Sequence, residues 1–190
     1  EDRPLPINAS VTISAPHMHA MALELATEQF QRPTCRCLDV GSGSGYLIAC
    51  MLHILRDLHG EQLDHLPKPR VVGIEYLEDL VPHSKQALEK DLQQHGVDAA
   101  GLWRIVQGDG WKGVPEYAPY DVIHVGAAAD HIPKKLTDQL AIGGRMIIPV
   151  GPQSSTQYLT IVDKLPDGTT SIRKVCGVGY VPLVNPSNEA

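Results

Sequence analysis

The stretch from Cys35 to Leu47, C-R-C-L-D-V-G-S-G-S-G-Y-L, constrains this chain more than any other part of it. A short apolar run (Cys37, Leu38, Val40) ends in three glycines at alternate positions, Gly41, Gly43 and Gly45. Leu47, Ile48, Met51, Leu52, Leu55 and Leu58 then recur at helical spacing. Strand, glycine turn and helix form the first unit of a nucleotide-binding α/β sheet. The glycines let the main chain turn tightly beside a ligand, and the helix start behind them offers unpaired N–H groups. The spacing is G-x-G-x-G, not the G-x-G-x-x-G of dinucleotide sites.

A chain of 190 residues that is 43% hydrophobic suffices for one domain, 1–190, with a substantial core. Its formal net charge is −6 and no basic block occurs, which argues against a nucleic-acid partner. No run is long and apolar enough for a membrane span, and the start is not a signal peptide. Cys35, Cys37, Cys50 and Cys176 form neither a disulfide framework nor a zinc pattern. They read as free thiols, predicting a cytoplasmic protein.

Residues 1–10 read as an extended lead-in. In V-T-I-S-A-P-H-M-H-A, residues 11–20, Ser14 reads from spacing as a helix N-cap with Pro16 in the first turn. That helix is expected to reach Phe30, burying Met18, Met21, Ala22 and Leu25. His17 and His19 read as helix surface, and two histidines with no third partner predict no metal site. Residues 56–70 read as a polar surface loop. Val71 to Ile74 form a buried strand ending in Glu75, an acid placed to accept ribose hydroxyls. The 56–70 loop accounts for its lying further from Gly41 than the usual ~20 residues. A helix over 78–95 buries Leu80, Val81, Leu88 and Leu92 and stops at Gly96. Trp103 to Val106 lead into Q-G-D-G, where Asp109 reads either as an adenine contact or as turn chemistry. Tyr120 to Val125 form a fourth strand before the small residues G-A-A-A. A helix over 133–141 stops at Gly143-Gly144, Arg145 to Val150 form a fifth strand, and a hairpin (157–163, 171–178) follows.

Alternating strands and helices predict an α/β fold with a doubly wound, mostly parallel sheet and a C-terminal antiparallel hairpin. In such sheets the ligand lies at the carboxyl ends of the strands, where Asp39, the glycines, Glu75, Asp109 and Gly126 all fall.

With the acid at Asp39, the glycine loop resembles the S-adenosylmethionine loop of class I methyltransferases. V-T-I-S-A-P-H-M-H-A, L-D-V-G-S-G-S-G, Q-G-D-G, A-P-Y-D-V-I-H-V-G-A-A-A, G-G-R-M-I-I-P-V-G-P and G-Y-V-P-L, in this order, resemble the protein-L-isoaspartate O-methyltransferase family over about residues 8–183. The resemblance implies methyl transfer from S-adenosyl-L-methionine to the α-carboxylate of L-isoaspartyl residues in damaged proteins, leaving S-adenosyl-L-homocysteine. The ester then closes to a succinimide, whose hydrolysis partly restores the normal linkage. By position it makes Ser14 the active-site serine, with Val11, Thr12, Ile13 and His19 lining the site. Asp39, Gly41, Gly43, Gly45, Glu75, Asp109 and Gly110 would hold the cofactor, and the Val178–Leu183 strand would pair with substrate backbone. It also implies a sheet whose last strands depart from the common methyltransferase order.

The family's helical lead segment is missing from this sequence, the 56–70 loop is longer than usual, and the tail after Leu183 differs. The first departure predicts a more exposed Val11–Ser14 stretch, weaker cofactor binding and slow turnover. Isoaspartyl proteins and peptides are the implied partners, with the chain a monomer. A small-molecule methyltransferase, a nicotinamide-binding oxidoreductase and a non-catalytic isoaspartyl-binding adaptor are the alternatives that the residues leave open. A carboxylate of pKa about 3.5 is already ionised at pH 7, so the chemistry asks for alignment rather than a general base.

Overall fold

The structure is a computed structural model and describes residues 2–7 and 12–184; Val11 lies outside them. The helices are α1 (Pro16–Leu25), α2 (Thr27–Phe30), α3 (Tyr46–His59), α4 (Leu80–Gln94) and α5 (Lys134–Asp138). A short hairpin pairs β1 (Leu5–Pro6) with β2 (Thr12–Ile13) antiparallel, so the lead-in is folded back on the stretch before α1. The main sheet contains β3 (Cys37–Val40), β4 (Val71–Glu75), β5 (Trp103–Gln107), β6 (Tyr120–Val125), β7 (Leu140–Val150), β8 (Gln157–Lys164) and β9 (Thr170–Val178). Their order is β5-β4-β3-β6-β7-β8-β9. The first five run parallel, and β8 and β9 close the edge antiparallel in sequence order.

Alternation along each strand divides the core into two layers. Cys37 and Val122 face a layer with Phe30, Ile48, Met51, Leu52, Leu55 and Leu88. Leu38, Val40, Tyr120 and Ile123 face the other, with Leu136 and Ile148. The α4 stripe is buried as its spacing predicts, with Ser84 added to it. Gly73 sits beneath the start of α3: an added Cβ would lie 2.5 Å from Ile48 Cδ1 and 2.9 Å from Ser42 Cβ, so its bare backbone lets helix and loop settle onto the sheet.

Four boundaries differ from the sequence expectation. The first helix breaks at Ala26, where α1 gives way to α2, and of its expected stripe Ala22 is buried while Met18, Met21 and Leu25 are partly so. Residues 56–70 are not a plain surface loop. α3 continues to His59, a 3₁₀ turn spans Gly60–His65, and Leu63 is fully buried. Arg70, also buried, donates to the Cys35 carbonyl at 3.0 and 2.7 Å. The expected helix over 133–141 shrinks to α5 because Leu140 already pairs with Tyr120. Gly143 and Gly144, read as a helix stop, lie inside β7 opposite an irregularity in β6. Gly143 has φ +72°, and a Cβ on Gly144 would lie 2.8 Å from the Tyr120 carbonyl. Here glycine serves a bulge, the alternative reading of such a residue.

Candidate functional site

The parallel strands deliver their last residues to one rim. β3 is the switch point, flanked by β4 on one side and β6 on the other. Beyond it, Gly41 and Ser42 donate their N–H groups to the Ile74 carbonyl at 2.9 and 3.2 Å, which turns the chain over the tip of β4. Gly41 has φ +78°, and an added Cβ would meet nothing within 4 Å among the described residues. Gly45, at φ +79°, has a different reason to be glycine: its Cβ would lie 3.2 Å from the Ser84 carbonyl of α4. Ser84 Oγ in turn donates to the Gly43 carbonyl.

Glu75 holds this loop from below. Its Oε2 accepts the Gly43 N–H at 3.0 Å and its Oε1 accepts the Leu77 N–H at 3.0 Å, with the residue 6% exposed. Asp39 is buried too, and its Oδ1 lies 2.7 Å from Nδ1 of His124, its in-register partner on β6. A carboxylate only accepts, so Nδ1 carries the proton. The pair continues the sheet face that Cys37 and Val122 begin, replacing two apolar positions.

His19 reaches this pair from α1. Its ring stands edge-on to Tyr46 with centroids 5.3 Å apart, and both ring nitrogens are buried without a hydrogen-bond partner among the described residues. Burial, and secondarily the nearby His124, lowers its pKa, so the ring is held neutral. Ser42 Oγ is a second buried polar atom without a partner. These unpaired groups flank a cleft lined by Thr12, Ile13, Ser14, His19, Asp39, Gly41, Ser42, Gly43, His124 and Gly126, among others. An unsatisfied buried polar atom is costly, which marks the cleft as shaped for a polar ligand.

Ser14 is not the N-cap of α1. Ala15 takes that place with Pro16 behind it, and no side chain caps the helix. Ser14 instead hydrogen-bonds the Tyr180 hydroxyl, whose pKa burial raises and that hydrogen bond pulls back down. Tyr180 is itself clamped: its N–H donates to Gln157 Oε1 at 2.6 Å and its carbonyl accepts Gln157 Nε2 at 3.1 Å. Ser14 also lines a second groove, formed with Thr12, Met18, Gly126 and the Gly177–Val181 segment. It therefore stands where the cleft over the glycine loop meets an open groove beside β9.

Of the sequence-predicted residues, Thr12, Ile13, Ser14, His19, Asp39, Gly41 and Gly43 line one cleft. Glu75 reaches it through Gly43, and Gly45 supports it from α4. Asp109 and Gly110 follow the end of β5 and are not among the lining residues. Asp109 Oδ1 accepts the Trp111 N–H at 2.9 Å, the turn chemistry expected of it, and Lys112 lies 3.3 Å from Oδ2. A Cβ on Gly110 would lie 2.8 Å from Val40 Cγ1. His124 and Gln157 were not singled out in the sequence, while Ser42 and Tyr180 entered only as members of the glycine loop and of the Val178–Leu183 strand. A histidine inside an otherwise apolar strand was the available signal for His124; Gln157 carried none.

A family model described as protein-L-isoaspartate(D-aspartate) O-methyltransferase matches residues 1–188. A protein-L-isoaspartate O-methyltransferase of Triticum aestivum is 46% identical over 98% of this chain and 75% of its own length. Protein-L-isoaspartate O-methyltransferase 1 of Arabidopsis thaliana is 45% identical over 97% of this chain and 74% of its own. Among solved structures, a Plasmodium falciparum protein of the same description, in complex with S-adenosyl-L-homocysteine, superposes with a TM-score of 0.79. It is 33% identical and covers 97% of this chain and 81% of its own.

Proposed function

The chain belongs to the protein-L-isoaspartate(D-aspartate) O-methyltransferase family, and from that premise we propose how its own residues carry out the reaction. It is an S-adenosylmethionine-dependent enzyme that methylates the α-carboxylate of L-isoaspartyl residues. The observation that carries the residue assignment is the position of Ser14 at the joint between the two clefts.

The lining of the cleft over the glycine loop has the chemistry of a cofactor site: among the described residues His19 and Ser42 offer unpaired polar atoms, and a Cβ on Gly41 would meet nothing within 4 Å. When bound there, S-adenosylmethionine supplies a methyl group on a positively charged sulfur. In this reading Glu75 accepts ribose hydroxyls while holding the loop through Gly43. Asp39, oriented by His124, adds negative charge near the sulfonium end, and neutral His19 closes the side formed by α1. Thr12 and Ile13 wall the cleft, while Asp109 and Gly110 shape the rim beyond β5. Val11 belongs to the same set by sequence.

The isoaspartyl chain lies in the groove beside β9, against Gly177–Val181. Its carboxylate meets the Ser14 O–H, which donates and aims it across the joint. Tyr180 is the hydrogen-bond partner of the serine hydroxyl; with the phenol O–H donating to Ser14 Oγ, the serine proton is free for the carboxylate. No base is required, because the carboxylate is ionised at neutral pH. Alignment of oxygen, methyl and sulfur is what the site contributes, worth roughly 7–11 kcal/mol at best. No helix among the described residues is long and apolar enough to cross a membrane, and the four cysteines are free. We place the protein in the cytoplasm as a monomer acting on damaged proteins.

The test is labelled methyl transfer to paired peptides that differ only in isoaspartate or aspartate at one position. Label should enter the isoaspartyl peptide as a base-labile ester, with little in its twin. Equal labelling of both would overturn the substrate assignment.

A further inference from the structure

Away from the cleft, three side chains with metal-binding donors meet where α3 packs on α4. His53 Nε2 lies 3.1 Å from Asp91 Oδ2, and His95 Nδ1 lies 3.4 Å from Asp91 Oδ1. The two imidazoles stand edge to face, centroids 5.4 Å apart at 82°, so they flank the carboxylate. One donor atom from each of the three residues lies within 4.8 Å of the other two. His95 caps the C-terminus of α4 one turn after Asp91, the spacing by which a helix sets two ligands beside one ion. His53 completes the set from the other helix.

We propose that His53, Asp91 and His95 form a zinc site that ties α3 to α4. Two imidazole nitrogens and one carboxylate oxygen suit zinc and its divalent neighbours rather than calcium or magnesium, which take oxygen ligands. Zinc bonds of about 2.0–2.1 Å in a tetrahedron put ligand atoms roughly 3.3–3.4 Å apart. The two nitrogen–oxygen separations, 3.1 and 3.4 Å, run to different oxygens of Asp91, and donors now within 4.8 Å of one another close around one ion when the carboxylate turns and the two rings draw in. The side chains are 31%, 38% and 59% exposed, within reach of an ion from solution and open to water as a fourth ligand.

Without the ion, Asp91 is the common acceptor. Its carboxylate and its main-chain carbonyl, 2.9 Å from His95 Nδ1, can only accept, so the facing imidazole nitrogens carry protons. Zinc takes the place of the proton on each coordinating nitrogen. Each ring then coordinates neutral, with its N–H on the other nitrogen or the proton given to solvent. The sequence reading expected no metal because it weighed the cysteines and the His17–His19 pair. His53 and Asp91 stand 38 residues apart, and nothing in the sequence links them.

The test titrates zinc ion into the full chain and into His53→Gln, His95→Gln and the double variant, by calorimetry and by thermal unfolding. The wild type should bind one zinc that both single variants bind at least ~10-fold more weakly and the double variant lacks. Zinc taken by other histidines or the cysteines appears in all four isotherms and cancels in the comparison. Zinc should raise the wild-type melting temperature more than that of the double variant. Identical isotherms would overturn the site. Should the variants fold poorly, cobalt(II) spectroscopy on the wild type decides. Visible d–d bands without thiolate-to-cobalt absorption support it, and a strong thiolate band assigns the metal to cysteine and overturns it.

Discussion

Glu75→Gln separates two duties that one carboxylate performs in this fold. The isosteric change removes charge from a cofactor contact. Each oxygen of Glu75, however, accepts a main-chain N–H at 3.0 Å, one from Gly43 and one from Leu77. An amide offers one oxygen and one NH₂, so one of these N–H groups must face a donor. At a residue 6% exposed, water does not readily repair the loss. Leaving a buried donor unsatisfied costs about 1–3 kcal/mol. For a chain of this size that is roughly 2–4 °C per kcal/mol, so the melting temperature without cofactor should fall by about 2–12 °C. Loss of charge-assisted bonds of about 1.5–3 kcal/mol should also weaken S-adenosylhomocysteine about 10–100-fold. Differential scanning calorimetry of the ligand-free protein reads the first effect, and titration calorimetry well below the melting temperature reads the second. An unchanged melting temperature would show that Glu75 does not hold the glycine loop. Unchanged affinity would remove it from the cofactor site.

Ser14→Ala should lower the melting temperature by about 1–6 °C, the cost of its hydrogen bond to Tyr180, because Ser14 caps no helix, while lowering kcat/KM for an isoaspartyl peptide by ~10–100-fold; Ser14→Asp should abolish turnover by repelling the carboxylate, and an active Asp variant would end the positioning role. Leu63→Ala should cost about 2–5 kcal/mol in urea unfolding while Leu58→Ala, 43% exposed, changes stability by no more than ~0.5; equal costs would restore 56–70 to a surface loop. Burial pushes the Cys37 thiol and the Tyr120 phenol up, so folding favours their neutral forms. Their contribution is complete below the ordinary thiol value of ~8.5 and is lost as pH rises beyond it. Urea unfolding at pH 7 and pH 10 should show the lower stability at pH 10, and equal stability would refute this account.

The strand and helix pattern was legible because burial imposes it locally. Cys37 to Val40, Val71 to Glu75 and Tyr120 to Val125 are short apolar runs with little freedom to be anything else. What escaped the sequence was decided by partners far along the chain. Gly143-Gly144 looks like a helix stop until Tyr120 and its neighbours press against the backbone there. Ser14 before Ala-Pro looks like a cap, but the helix starts one residue later and the hydroxyl finds Tyr180. Leu63 sits among polar residues, yet the 3₁₀ turn points it into the core. The acids and glycines of the candidate site were legible because they sit near or just past the ends of strands. His124 was not singled out, since its meaning comes from sharing a register with Asp39.

The groove beside β9 has walls from opposite ends of the chain: Thr12 to Met18 on one side and Gly177 to Val181 on the other. After β9 at the sheet edge, the polypeptide crosses back over β8 and β7 until the Ala128 N–H meets the Val181 carbonyl and the Leu183 N–H meets the Ala128 carbonyl, at 2.8 and 2.7 Å. During synthesis the residues around the glycine loop emerge first, and the strands on both sides of β3 are complete by Val125. One wall of the groove is supplied by nearly the last residues described. A ribosome-bound chain thus carries the residues of the cleft over the glycine loop before those of the groove, and closing that groove is a long-range event that depends on the whole sheet.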